Sequence, residues 1–213
     1  KNRPKSIDIS REFDEIGAEH NAFTSNEVTA YYGKASRNHF DKMLNVISDM
    51  YLNPTFPEAD IEIEKGVIVE EINMYEDQPQ SQVRRVFREL MYGDTPFGWS
   101  ILGSVENIKK MKREDFLNYR KSNYIASRTL VVVSGDVKAE DVFKKTEKAF
   151  KGIQEGKILK KVKLVENQSK PNIKIKHKET DQSHIVIGVR TFSVHDKRSA
   201  TLKILSSVLG GGM

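Results

Sequence analysis

Glu64-Lys65-Gly66-Val67-Ile68-Val69-Glu70-Glu71-Ile72 lies inside a run that reads as one long helix. The run starts at Pro57, a residue suited to the first helical turn. Glu58 and Asp60 follow where carboxylates complement the positive end of the helix dipole, and the pattern continues past Glu71. Each helical residue advances about 100°, so Glu64 and Glu71 end within roughly 20° of one another, two turns apart. Two carboxylates therefore line one side. Taken alone, that side is also what an ordinary solvated helix shows. Gly66, in the helix interior, costs on the order of 1 kcal/mol relative to alanine and suggests a close packing contact there.

Working upstream, Asn38 to Tyr51 carries Phe40, Met43, Leu44, Ile47, Met50 and Tyr51 at helical spacing and stops before Asn53-Pro54. His20 to Thr24 and Thr29 to Ala35 are rich in Thr, Tyr and Phe, flank Ser25-Asn26-Glu27 and read as a hairpin. Ser6 to Ile16 is loosely helical, with Gly17 placed to end it in the left-handed conformation. Downstream, Ser81 to Tyr92 and Arg113 to Lys121 read as helices separated by a loop from Gly93 to Gly103 that holds the only tryptophan, Trp99. Thr129 to Val133 is a β-branched apolar run that suits a buried strand; Gly135-Asp136 turns the chain and Ala139 to Phe150 returns as an amphipathic helix. Beyond it, Asn172 to Lys176 and His184 to Val189 read as strands, and Ser199 to Leu209 as a helix. Strands interspersed with helices, and a hairpin near the front, predict an α+β fold with a mixed, largely antiparallel sheet flanked by helices.

Composition narrows the chemistry. The 213 residues hold no cysteine, which excludes disulfides, thiolate catalysis and cysteine-ligated metals, so any metal must be held by His, Asp or Glu. No apolar run reaches the roughly eighteen residues that a membrane-spanning helix needs, and no membrane partner is expected. The net charge of +5 is regional: nine lysines stand against Glu155 and Glu166 between Lys151 and Lys178, which leaves the rest slightly acidic. That region lacks arginine and aromatic residues, so it reads as a solvated linker, and no nucleic-acid partner is expected; a basic nucleic-acid binder is the remote alternative. A lysine-rich, cysteine-free composition fits a bacterial cytoplasm.

Glu64 to Ile72, taken with Asn21-Ala22-Phe23-Thr24-Ser25, with Tyr124 and Val131-Val132-Val133-Ser134-Gly135-Asp136-Val137, and with Leu209-Gly210-Gly211-Gly212-Met213, resembles the insulinase/pitrilysin-type zinc peptidases, which include the mitochondrial processing peptidases and bacterial homologues. The resemblance implies a helical H-x-x-E-H motif supplying two zinc-ligating histidines and a general-base glutamate, with a downstream glutamate as third ligand. By that resemblance Glu71 matches the third ligand and Glu64 a supporting carboxylate. Three protein ligands leave zinc a position for water, whose pKa falls to about 7. The resemblance also implies that Asn21, Ala22 and Phe23 form an edge strand that pairs with the backbone of an extended peptide substrate, with His20 beside it. An ordinary hairpin with Phe23 in the core is the competing reading.

The sequence departs from the family at one decisive place. None of His20, His39, His177, His184 and His195 has a histidine four positions away, so no H-x-x-E-H occurs. The resemblance places that motif just before Lys1, so the chain reads as a fragment, cut at both ends, that lacks two zinc ligands and the base and does not hydrolyse peptides by itself. Residues 1–156 are then most of a zinc-peptidase domain, 157–171 a lysine-rich linker, and 172–213 the opening of a second, homologous domain that is the first one's partner. A homodimer or heterodimer is in keeping with the family, as is the alternative that the protein is a non-catalytic partner or scaffold subunit of the same fold.

Overall fold

Gly17, at φ +58°, ends the first helix and turns the chain into a β-hairpin, as its place in the sequence requires. The structure is a computed structural model that describes residues 3–158, 160–165, 168–179 and 181–210; Gly211, Gly212 and Met213 of the terminal motif lie outside the described residues. Helix α1 (Ser6–Asp14) leads into β1 (Glu19–Thr24) and β2 (Thr29–Lys34). These pair antiparallel in the register Glu19 with Lys34, Ala22 with Tyr31 and Thr24 with Thr29. The hairpin rests on α2 (Phe40–Leu52), which α1 and α7 (Ala139–Ala149) also contact. A long α3 (Glu58–Asp77) packs on α4 (Pro79–Tyr92) and on α5 (Val105–Lys110). Then come α6 (Arg113–Asn123) and, near the end, α8 (Ser199–Gly210). The class is α+β, with a small antiparallel sheet flanked by helices.

The core follows from the apolar spacing. Phe13, Val46 and Ile125 are fully buried, with Leu44, Ile61, Val86, Met91 and Ile108 nearly so. Around it, long cationic side chains tie together elements that are far apart in sequence. Arg3, 7% exposed, places its guanidinium on both oxygens of Glu12 (2.6 and 2.9 Å), on Asp49 (2.8 Å) and on Asn45 Oδ1 (2.6 Å), and so fixes the chain start to α1 and α2. Lys42 adds a second cation to Glu12 at 2.8 Å. Arg3 and then Lys42 hold the Glu12 carboxyl down to about 2. Arg113 of α6 donates to the carbonyls of Phe56 (2.9 Å) and Thr55 (3.2 Å), and so braces Phe56, a non-glycine residue at φ +47°.

Three expectations are corrected. Residues 129–133 form no strand among the described residues: Leu130 and Val132 are 85% and 76% exposed, and Thr129 is instead engaged through its side chain by Tyr51 and Ile125. Strand propensity describes fit to a pleated, half-buried surface, and without a neighbouring ladder this run has no such surface to fit. Residues 172–176 and 184–189 are likewise unladdered. Ion pairs from Lys174 to Glu89, Lys176 to Glu76 and Lys178 to Asp77 bring the first of these segments against α3 and α4, while Ile173, Ile175, Ile185 and Ile187 stay exposed. Gly66, finally, has nothing within 4 Å of where a Cβ would sit, so no close contact explains it.

Uncovered apolar surface is a general feature. The accessible area is 17359 Å², whereas a compact chain of 24.3 kDa exposes about 10,000 Å². None of the described helices is long and apolar enough to cross a membrane.

Candidate functional site

Helix α3 is apolar on two opposite sides, which marks a helix built to be covered on both. One side, with Ile61 buried and Lys65, Ile68 and Ile72 partly buried, meets α4 and α5. On the other, Ile63, Val67 and Met74 are 68%, 55% and 49% exposed and form a stripe. Helical geometry places Glu71 and Glu64 along the edge of that stripe, as the seven-residue spacing predicts. Glu64 is exposed and Glu71 half-buried, and no described residue donates a hydrogen bond or an ion pair to Glu71. A carboxylate held part-way out of water beside apolar side chains, without a cation, is available as a ligand for whatever covers the stripe.

These residues by themselves do not make a zinc site. Among the described residues no group of three or more His, Cys, Asp or Glu side chains is arranged to hold a metal ion, so Glu64, Glu71 and His20 are not gathered into one. His20 stacks on the Phe13 ring (centroids 4.2 Å apart, planes at 17°). That contact sets the exposed imidazole against a buried ring.

The hairpin presents a different kind of site. All six residues of β1 are exposed, and among the described residues β1 pairs only with β2. Asn21, Ala22 and Phe23 are thus on a strand with a free edge. Phe23 is 53% exposed, with its ring tilted 6.4 Å from Tyr32, so it lies outside the core that the described residues form. Asn21 Oδ1 accepts from the Ala22 N–H at 2.8 Å, so a side chain occupies this main-chain donor.

Behind the hairpin lies a cluster that the sequence did not disclose. The Tyr31 and Tyr124 hydroxyls meet at 3.1 Å, and Tyr51 packs on both rings and on Phe150. Burial, then the Tyr31 hydroxyl, pushes the Tyr124 phenol well above its ordinary range. Tyr31 and Tyr124 stand 93 positions apart, and no local pattern links them.

A helix with two carboxylates at the edge of an uncovered stripe, and a strand unpaired on one edge among the described residues, stand on one α+β fold. The comparisons with known proteins agree. Residues 1–105 match the model for insulinase (peptidase family M16), and residues 110–213 match that for the peptidase M16 inactive domain. The chain belongs to the insulinase-type M16 peptidase family. It is 34% identical over 206 residues to the uncharacterized zinc protease YmxG of Bacillus subtilis (strain 168), covering 97% of this chain and 50% of that protein. It is 28% identical over 214 residues to the uncharacterized zinc protease SCO5738 of Streptomyces coelicolor, covering 98% of this chain and 47% of that one. The fold is similar to that of a protease from Helicobacter pylori at a TM-score of 0.68 and 24% identity, over 72% of this chain and 37% of the other. The chain spans about half the length of the curated relatives it matches.

Proposed function

We propose that this chain supplies the third metal ligand and the substrate-pairing strand of a zinc metalloendopeptidase that cleaves unfolded peptides or presequences held in extended form. The observation that carries the reading is Glu71, half-buried and without a partner among the described residues, at the edge of the uncovered stripe on α3. An H-x-x-E-H segment outside these residues would supply the two histidines that hold zinc together with Glu71, with Glu64 as a supporting carboxylate. Zinc in such a site supplies a water acidic enough to be hydroxide near neutral pH.

The chain's own residues bind and orient. An extended peptide adds to the free edge of β1, takes over the Ala22 N–H from Asn21 and rests side chains against Phe23 and Tyr32. Glu71 contributes a charged oxygen ligand and Glu64 supports it. Residues 1–156 act as the larger part of one domain, 157–171 as linker and 172–213 as the opening of the second, in a bacterial cytoplasmic protein that works as a homodimer or heterodimer.

The test is peptide hydrolysis by the 213-residue chain alone and by the protein at the length of its relatives. The chain alone is expected to be inactive. The longer protein is expected to cleave, and to lose cleavage and metal together on Glu71→Gln. A longer protein that binds extended peptides but neither zinc nor cleaves them would instead be a non-catalytic subunit of the same fold.

A further inference from the structure

The hairpin that carries Asn21, Ala22 and Phe23 is fastened to the rest of the protein at few points. On its inner side β2 lies on α2 at Gly33, where Met43 Sδ and Ile47 Cδ1 stand 2.8 and 3.5 Å from the position of an added Cβ. At its tip Glu27 pairs with Lys161, but both side chains are well exposed, and exposed pairs hold a geometry weakly. On β1 itself the His20 ring stacks on buried Phe13 of α1 (centroids 4.2 Å apart), and a further fastening, polar and sheltered, lies under β2. Tyr31, directly across the ladder from Ala22, shares a hydrogen bond with Tyr124 at the end of α6. Tyr51 supports both rings, at centroid distances of 6.3 and 5.0 Å, while its own hydroxyl is engaged elsewhere, by Thr129 at 2.6 Å.

We propose that Tyr124 is a positioning residue for the peptide-pairing strand, acting through Tyr31 to hold β1 at a fixed pose against the helices. The inference rests on β1 being the strand that a peptide joins. β-Augmentation gains affinity from a preordered edge, because a strand that must first be ordered subtracts that cost from binding. Tyr124 reaches across from α6 to the strand opposite Ala22, so losing its hydroxyl loosens the edge without touching the peptide. Burial and the Tyr31 hydroxyl raise the Tyr124 phenol, so Tyr124 stays neutral near neutral pH.

The experiment measures binding of a fluorescein-labelled peptide of alternating valine and serine by anisotropy, with amide hydrogen exchange of the free protein. Tyr124→Phe and Tyr31→Phe are each expected to weaken binding about three- to tenfold, the ratio one sheltered neutral hydrogen bond supplies. The double variant is expected to be no weaker than either single one, because both changes remove the same bond. Tyr51→Phe, whose hydroxyl points to Thr129, is expected to stay within about twofold, since its bond lies off the hairpin. Exchange in β1 and β2 should quicken in Tyr124→Phe while that in α2 does not. Unchanged binding in Tyr124→Phe, or losses that multiply in the double variant, would overturn the inference while leaving the peptide-strand reading intact. A wild-type chain whose β1 amides gain no protection from the peptide would overturn both.

Discussion

Arg3→Met removes the cation that joins the start of the chain to α1 and α2. The guanidinium makes two bonds to Glu12 and one each to Asp49 and Asn45, at 7% exposure, and methionine keeps much of the stem's packing. Stripping one partner from a buried pair costs about 3–5 kcal/mol. Here Glu12 keeps Lys42 at 2.8 Å and Asp49 keeps the Asn53 amide at 2.8 Å, and the two carboxylates are 23% and 15% exposed. The expected loss is therefore smaller, about 2–3 kcal/mol at neutral pH. The same contacts bound the loss from the side of Glu12. Its carboxyl falls from 4.5 to about 2 in the folded state. At 1.36 kcal/mol per unit that fall is worth about 3 kcal/mol at most, shared between Arg3 and Lys42. A carboxyl with a depressed folded pKa stabilises fully above its unfolded value near 4.5, and that stabilisation fades as pH falls through about 2. Urea unfolding followed by circular dichroism should show the full gap between wild type and Arg3→Met at pH 7, narrowing to below about 1 kcal/mol near pH 2. A gap under about 1 kcal/mol at pH 7, or one of the same size at both pH values, would refute the account of this network.

Two glycines and a cap extend the test to other parts of the fold. Gly66→Ala should stabilise the chain by about 0.5–1 kcal/mol in urea unfolding, since a Cβ there meets nothing and the helix gains its propensity. Gly156→Ala should do the opposite, by about 1–3 kcal/mol, because the new Cβ would stand 2.8 Å from Cγ2 of Ile125, a stiff and fully buried side chain. Ser104→Ala should quicken amide exchange across α5, costing about 1 kcal/mol locally, because the Ser104 hydroxyl accepts from the Asn107 N–H at the start of that helix.

Local periodicity and punctuation made the hairpin and most helices legible: Tyr31 and Tyr32 flanked by a polar turn, Gly17 at a left-handed corner, Pro57 at the entry to α3. Helix α5 was missed because six residues give too little period to read, although Ser104, standing before Val105 and Glu106, was a capping signal that could have marked it. The run 129–133 was misread because β-branched residues state what a chain can do beside a partner, not whether one is there. The contacts of Arg3, Tyr31 and Tyr124 were invisible for a different reason. They join positions tens of residues apart, such as Arg3 with Asp49 and Tyr31 with Tyr124, and no spacing rule reaches that far. Of the candidate site, the shared face of Glu64 and Glu71 followed from helix geometry alone. The role assigned to that face came from the family, and the structure adds that its stripe is uncovered.

Zinc binding by the protein at the length of its relatives tests the central claim most directly. Metal content and affinity would be measured for wild type, Glu71→Gln and Glu64→Gln, each first checked for native secondary structure. The account predicts about one zinc per wild-type chain, a loss of affinity beyond about 100-fold in Glu71→Gln, and a smaller loss of about 10- to 100-fold in Glu64→Gln. Zinc held as tightly by Glu71→Gln as by wild type would contradict it, because the half-buried carboxylate on α3 would then not be a ligand.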